Sequence, residues 1–264
     1  LKAEFGDDFI IPKKVNHSIL DTCGRWGAFS FSFLFYNKKF ISGESAGSCL
    51  FADSAWFTMR NKTYAFAAKG GTNDEPHNHN DLGSFILADE SGQLVCDLGC
   101  GEYTRQYFEP DTRYSILCNS SLGHGVPIIG GEAQREGAEF FAALCKTENG
   151  ICIDLTHAYQ TDAIKHIKRC FGFSENAVML NDEFSFYRPV PVTERFVSRI
   201  KPEIKENTVQ IGNLRITAET GTPTVTTQRH LEHGGDGSAT VYLIDFALPP
   251  QTGFMFQAEF AFSY

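Results

Sequence analysis

From residue 49 onward the sequence is punctuated like a series of hairpins, and this limits the fold more than any other feature. Ala55–Arg60 and Tyr64–Lys69 flank Asn61-Lys62, and Ser84–Ala88 and Leu94–Leu98 flank Ser91-Gly92. Phe140–Lys146 and Ile151–His157 flank Asn149-Gly150. Asn-Gly accepts the positive φ angles of a tight hairpin turn, so it is the strongest local signal of the set. Ile167–Phe173 and Ala177–Phe184 pair across Ser174-Glu175-Asn176, and Thr208–Ile211, Leu214–Ala218 and Ser238–Phe246 continue the series. Phe accounts for 24 residues, against nine Tyr and two Trp. Aromatic side chains suit a pleated, half-buried surface. Short strands at this spacing predict an all-β fold, a large antiparallel multi-sheet β-sandwich.

Residues 1–45 read differently. Ser18 is placed to cap a helix starting at Ile19, and Trp26, Phe29 and Phe33 follow at helical spacing. Phe29, Phe31, Phe33 and Phe35 also alternate as a strand would. The helical reading is preferred, as a short helical remnant at the N-terminus. The chain starts at Leu1 with neither Met nor a signal peptide, so it is read as a fragment. The expected division is 1–45 as a linker or the tail of a helical domain, and 46–264 as the β-sandwich.

Charge and apolar content narrow the function. A formal charge of −9 argues against a general nucleic-acid binder, which needs a basic patch. No run of about 18 apolar residues occurs, so no membrane-spanning helix is expected. The eight Cys contain no CxxC pair, and most are read as small buried hydrophobes. Localisation is left open.

One segment stands apart: Pro76-His77-Asn78-His79-Asn80-Asp81-Leu82-Gly83-Ser84-Phe85. In an extended chain His77, His79 and Asp81 share a face. Polar groups crowded before an apolar strand are costly unless they are hydrogen-bonded or hold a metal. Imidazole with carboxylate suits zinc. Asp97 closes the apolar run Leu94-Val95-Cys96, where it is either a ligand or a turn cap before Gly99. His124 lies between Gly123 and Gly125, as a ligand or as an ordinary loop histidine.

These residues carry a resemblance. PHNHNDLGSF, the Asp97 strand, Gly101-Glu102-Tyr103-Thr104, Arg113-Tyr114 and SSLGHGVP, in that order, resemble the C-terminal part of heparinase II/III-like polysaccharide lyases, most densely over residues 46–135. The resemblance implies a Zn2+ ion held by His79, Asp97 and His124, and His77 as a catalytic residue near the uronic acid. It implies β-elimination: a base takes the C5 proton α to the uronic carboxyl group, and the 4-linked sugar leaves. The carboxylate must then be neutralised as charge develops. Asn78, Tyr103 and Arg113 are candidate substrate-binding residues, with Arg105 a further candidate anion partner. The implied partners are an anionic polysaccharide and an N-terminal helical toroid that supplies the general acid/base. On this expectation the fragment alone is inactive.

Two rival readings stand beside this one. Gly71, His77 and His79 are spaced as in the opening of a cupin metal motif, but no Glu follows within the required window. A non-catalytic carbohydrate-binding β-sandwich with a structural zinc is the other.

Overall fold

The computed structural model describes residues 46–233 and 237–263. The expected helix after Ser18, the 1–45 segment and the loop at 234–236 therefore lie outside the described residues.

The hairpins form where the turn residues predict them. β1 (Gly47–Phe51), β2 (Trp56–Arg60), β3 (Ala65–Lys69), β5 (Phe85–Asp89) and β6 (Gly92–Val95) make a five-stranded antiparallel sheet in the order β1-β2-β3-β5-β6. The second sheet has eleven strands. Its main path is β12 (Glu203–Lys205), β13 (Thr208–Ile211), β14 (Leu214–Ala218), β16 (Ser238–Phe262), β11 (Ala177–Ser198), β10 (Ile164–Phe173), β9 (Gly150–Asp154), β8 (Gly137–Lys146) and β4 (Gly71–Asn73). β15 (Thr222–Leu231) adds to β16, and β7 (Pro127–Ile129) adds to β11. Neither sheet closes into a barrel.

β11 and β16 are far longer than the sequence suggests, at 22 and 25 residues. They pair along two stretches separated by register shifts between Ser185 and Val190 and between Val190 and Val192. Pro189 and Pro191 fall there, and proline has no N–H to give to a ladder. One continuous strand thus serves two parts of the sheet.

Phenylalanine joins the sheets. Phe57, Phe66 and Phe85 come from the smaller sheet, and Phe171, Phe173, Phe196 and Phe260 from the larger. The Phe85 ring meets Phe66, Phe171, Phe196 and Phe260 at centroid distances of 5.0–6.0 Å. The pair with Phe66 is stacked and the other three are tilted or edge-on, arrangements that stabilise beyond area burial alone. Phe85→Ala is expected to cost about 3–5 kcal/mol in a denaturant unfolding curve. A loss below about 1 kcal/mol would mean that the two sheets do not depend on this contact.

The cysteine expectation needs correcting. Cys152 and Cys170 are cross-strand partners on β9 and β10 and form a disulfide. Of the free cysteines among the described residues, Cys96 and Cys118 are buried, whereas Cys49, Cys100 and Cys145 are exposed. Cys145, Cys152 and Cys170 alternate with core-facing neighbours, so their strands place them on the outer face.

Candidate metal centre and cleft

Three chain segments form the site. The first runs from β4 to β5 and holds the His-Asn-His-Asn-Asp run. Asn78 N–H donates to the Glu75 carbonyl at 3.1 Å, closing a turn with Pro76 and His77 at its centre. His77 has φ +61°, the left-handed conformation usually left to glycine. The extended geometry that would put His77, His79 and Asp81 on one face is therefore broken at His77. His77 stays exposed on the cleft wall, while His79 and Asp81 are half-buried.

The second segment follows β6. One oxygen of Asp97 accepts from Gly99 N–H at 2.7 Å. The other lies 2.9 Å from His124 Nδ1. The turn-capping and ligand readings of Asp97 thus use different oxygens of one carboxylate.

The third segment follows α1 (Arg105–Phe108) and α2 (Pro110–Arg113) and ends in a 3-10 turn, Ser121–Gly123. Ser120 Oγ accepts from Leu122 N–H and starts that turn. A Cβ on Gly123 would run into the Leu117 carbonyl oxygen, so only glycine lets the chain pass before His124. His124 is 1% exposed, and its Nε2 lies 2.8 Å from the Cys118 carbonyl. A carbonyl partner requires a proton on Nε2, which leaves Nδ1 to face Asp97. Nδ1 is buried and makes no well-aligned hydrogen bond despite that short distance. A buried nitrogen off-axis from a neighbouring carboxylate suits a pair that shares a third atom between them. Donation of the other ring N–H to a carbonyl is the usual support of a metal-bound histidine.

Asp81, Asp97 and His124 each bring one ligand atom to within 4.8 Å of the others. Asp81 also accepts a 2.6 Å salt bridge from the buried Lys69. His79 stands beside this set, its ring centroid 5.5 Å from that of His124 and its Nε2 3.4 Å from the Tyr107 hydroxyl. Of the residues expected to hold a metal, Asp97 and His124 are brought together directly, His79 is adjacent, and Asp81 joins them.

The electrostatics suit a cation. Burial, reinforced by neighbouring His124, lowers the His79 pKa to about 4, so its ring is neutral at pH 7. Burial alone would raise Asp97, but the His124 contact and Gly99 N–H hold it well below the usual carboxylate range. Burial opposes charge on His124, and the Asp97 contact overrides it and raises its pKa. Asp81, Asp97 and His124 thus offer mixed nitrogen and oxygen donors at one point, with a neutral His79 beside them, and zinc accepts both kinds.

The remaining candidates surround this centre. Asn78 Oδ1 accepts from the Tyr114 hydroxyl at 3.0 Å. Arg113 donates to the carbonyls of Asn78 (2.7 Å) and Tyr107 (3.0 Å) and lies over the Tyr107 ring. Its guanidinium thus ties the histidine segment to α1. Tyr103 is 44% exposed and stacks on His233 at 3.7 Å. Arg105 pairs with Glu109 across one helical turn. A cleft of about 500 Å³ opens beside the centre, lined by Trp56, His77, Asn78, His79, Asp81 and Asp97 among others. Trp56 is 43% exposed there. Sequence reasoning gave no role to Trp56 or Lys69. Asp81 was grouped with His77 and His79 as a face suited to zinc, but the ligand set implied by the resemblance left it out.

Solved structures with a similar fold include polysaccharide lyases. No protein-family model and no curated protein sequence matches the chain. Among solved structures, the heparinase III BT4657 gene product superposes with a TM-score of 0.70 at 12% identity, over 90% of this chain and 40% of its own. Heparan sulfate lyase HepC from Pedobacter heparinus gives 0.66 at 11% identity, over 97% and 44%. Chondroitin AC lyase from Streptomyces coelicolor A3 gives 0.55 at 8% identity, over 84% and 33%. The chain therefore has a heparinase-like fold and spans about two-fifths of the length of the heparinase and heparan sulfate lyase structures.

Proposed function

We propose that this chain is the zinc-holding β-sandwich part of a polysaccharide lyase that cleaves uronic-acid-containing polysaccharides by β-elimination. The observation that carries the reading is the meeting of His124 Nδ1, Asp97 and Asp81 beside His79, next to a cleft that also holds His77. His79, Asp97 and His124 hold the Zn2+ ion, and Asp81 is a further donor in reach. When bound, the ion fixes the three segments relative to one another and adds positive charge beside the cleft.

The chain's own groups then have distinct tasks. His77 is exposed in the cleft and either takes the C5 proton or donates to the charge that develops on the uronate. Asn78 lines the same cleft, and its amide N–H is the uncharged donor for that carboxylate. Arg113 positions Asn78 through its main chain. Tyr103 and Trp56 offer flat apolar faces to sugar rings. The acid that protonates the leaving oxygen comes from a further domain of the full-length protein. The two-fifths coverage of the heparinase neighbours supports that assignment.

A second reading is favoured by Trp56 alone: an exposed indole in a cleft lined by both polar and apolar side chains also suits a non-catalytic carbohydrate-binding module. One assay separates the two. The full-length protein is incubated with heparan, chondroitin and alginate polymers, and ultraviolet absorbance of an unsaturated uronate is followed. Growth of that absorbance supports the lyase. New reducing ends without it would mean hydrolysis, and binding without either product would favour the module.

A further inference from the structure

Arg169 on β10 sits at an inward-facing position of the larger sheet, between Ile167 and Phe171, and is 0% exposed. Every N–H of its guanidinium has an acceptor. Nε donates to Asp182, its cross-strand partner, at 3.0 and 3.1 Å. Nη2 donates to Asp182 Oδ2 at 2.6 Å and to Glu194 Oε2 at 2.8 Å. Nη1 donates to the Gly83 carbonyl at 3.0 Å and to the Gly125 carbonyl at 2.7 Å.

The last two contacts go beyond the needs of the core. Gly83 lies two residues after Asp81, and Gly125 immediately follows His124. One nitrogen thus grips two of the three segments that bring ligand atoms to the metal centre, across sequence separations of 86 and 44 residues. Asp182 and Glu194 hold the guanidinium from behind, so its direction is set by the sheet. A planar fork held this way transmits a fixed geometry that a flexible ammonium does not. The segments also touch directly, Asn80 N–H donating to the Asn119 carbonyl at 2.9 Å, but that bond sets no position relative to the sheet.

Resting on the metal-site reading above, we propose that Arg169 is a positioning residue: it references the His79–Asp81 and His124 segments to the rigid sheet and so sets the spacing of the metal ligands. Arg169→Lys keeps the charge and loses the fork, whereas Glu194→Gln keeps all four carbonyl and Asp182 partners.

The test is amide hydrogen exchange on the metal-free chain, so that it does not depend on metal binding. Arg169→Lys is expected to speed exchange at least tenfold at the Asn80, Gly83, His124 and Val126 amides, with those of β13 and β14 unchanged. Glu194→Gln is expected to leave all of them near wild type. Equal acceleration across segments and sheet would make Arg169 a core-stabilising residue only and overturn the proposal, as would unchanged segments. Should Arg169→Lys fail to fold, the denaturant dependence of exchange in the wild-type chain decides. A shared opening free energy at Gly83 and Val126 supports a common anchor, and unrelated values overturn it. Cobalt loading is the separate arm. A wild-type chain that binds no cobalt defeats the metal reading alone. A cobalt visible spectrum altered in Arg169→Lys and preserved in Glu194→Gln links the anchor to ligand spacing. An identical spectrum in all three overturns that link.

Discussion

Asp97→Ala is expected to remove zinc from the chain. The substitution deletes the oxygen 2.9 Å from His124 Nδ1 and leaves that buried ring facing no anion at that point. Loss of an outer-sphere partner alone costs a metal site about 10–100-fold in affinity, and Asp97 is placed as a direct ligand. A fall of at least about 100-fold follows, read by titration against a chelating indicator. Stability gives an independent readout. A ligand at 100 times its Kd stabilises the folded state by about 2.7 kcal/mol, so zinc raises the wild-type unfolding midpoint and leaves that of Asp97→Ala unmoved. Equal zinc affinity in the two proteins would detach Asp97 from the site.

His77→Ala is expected to do the reverse, leaving zinc content intact and ending turnover. Loss of a positioned acid/base group costs about 10²–10⁴-fold in rate. The assay uses the full-length protein and follows the unsaturated product. The backbone supplies a control that a structural role would fail. His77 has φ +61°, a conformation that costs a non-glycine residue of order 1 kcal/mol or more. His77→Gly is therefore expected to match or exceed wild-type stability while turnover falls as far as in His77→Ala. Retained turnover in His77→Gly would release His77 from the chemistry.

Much of the fold was legible because turn chemistry is local. Asn149-Gly150 and Ser91-Gly92 placed β8–β9 and β5–β6, and the alternation in Ile167–Phe173 and Ala177–Phe184 placed β10–β11. The length of β11 and β16 was not: the expected strands stop at Phe184 and Phe246, short of Pro189, Pro191, Pro249 and Pro250. The strands run through them by shifting register, which depends on the partner strand. The Cys152–Cys170 bridge was missed for a similar reason: cross-strand register decides it, and sequence spacing does not.

The site was legible as residue types in order, and less so as geometry. His79, Asp97 and His124 are neighbours in space. The left-handed turn at His77, which separates it from His79 and Asp81, cannot be read from a His that would normally avoid it. Arg113 illustrates a second limit. Its charge suggested an anion partner, but its hydrogen bonds go to main-chain carbonyls. The Arg169 anchor did leave a trace. Asp182 breaks the inward series Val178, Leu180, Phe184, Phe186, and Arg169 breaks Ile167 and Phe171. Charges at inward positions of two strands predicted to pair imply a buried ion pair, because an unpaired charge there is prohibitively costly.

The central claim is that residues from three separated segments meet at one divalent ion. X-ray absorption on the zinc-loaded chain tests it most directly. The expected spectrum is a shell of about four N and O donors near 2.0–2.1 Å with the outer-shell scattering of imidazole, and that scattering weakens in His124→Ala. A chain that emerges from dialysis without zinc, or a spectrum of oxygen donors alone with no imidazole, would contradict the account.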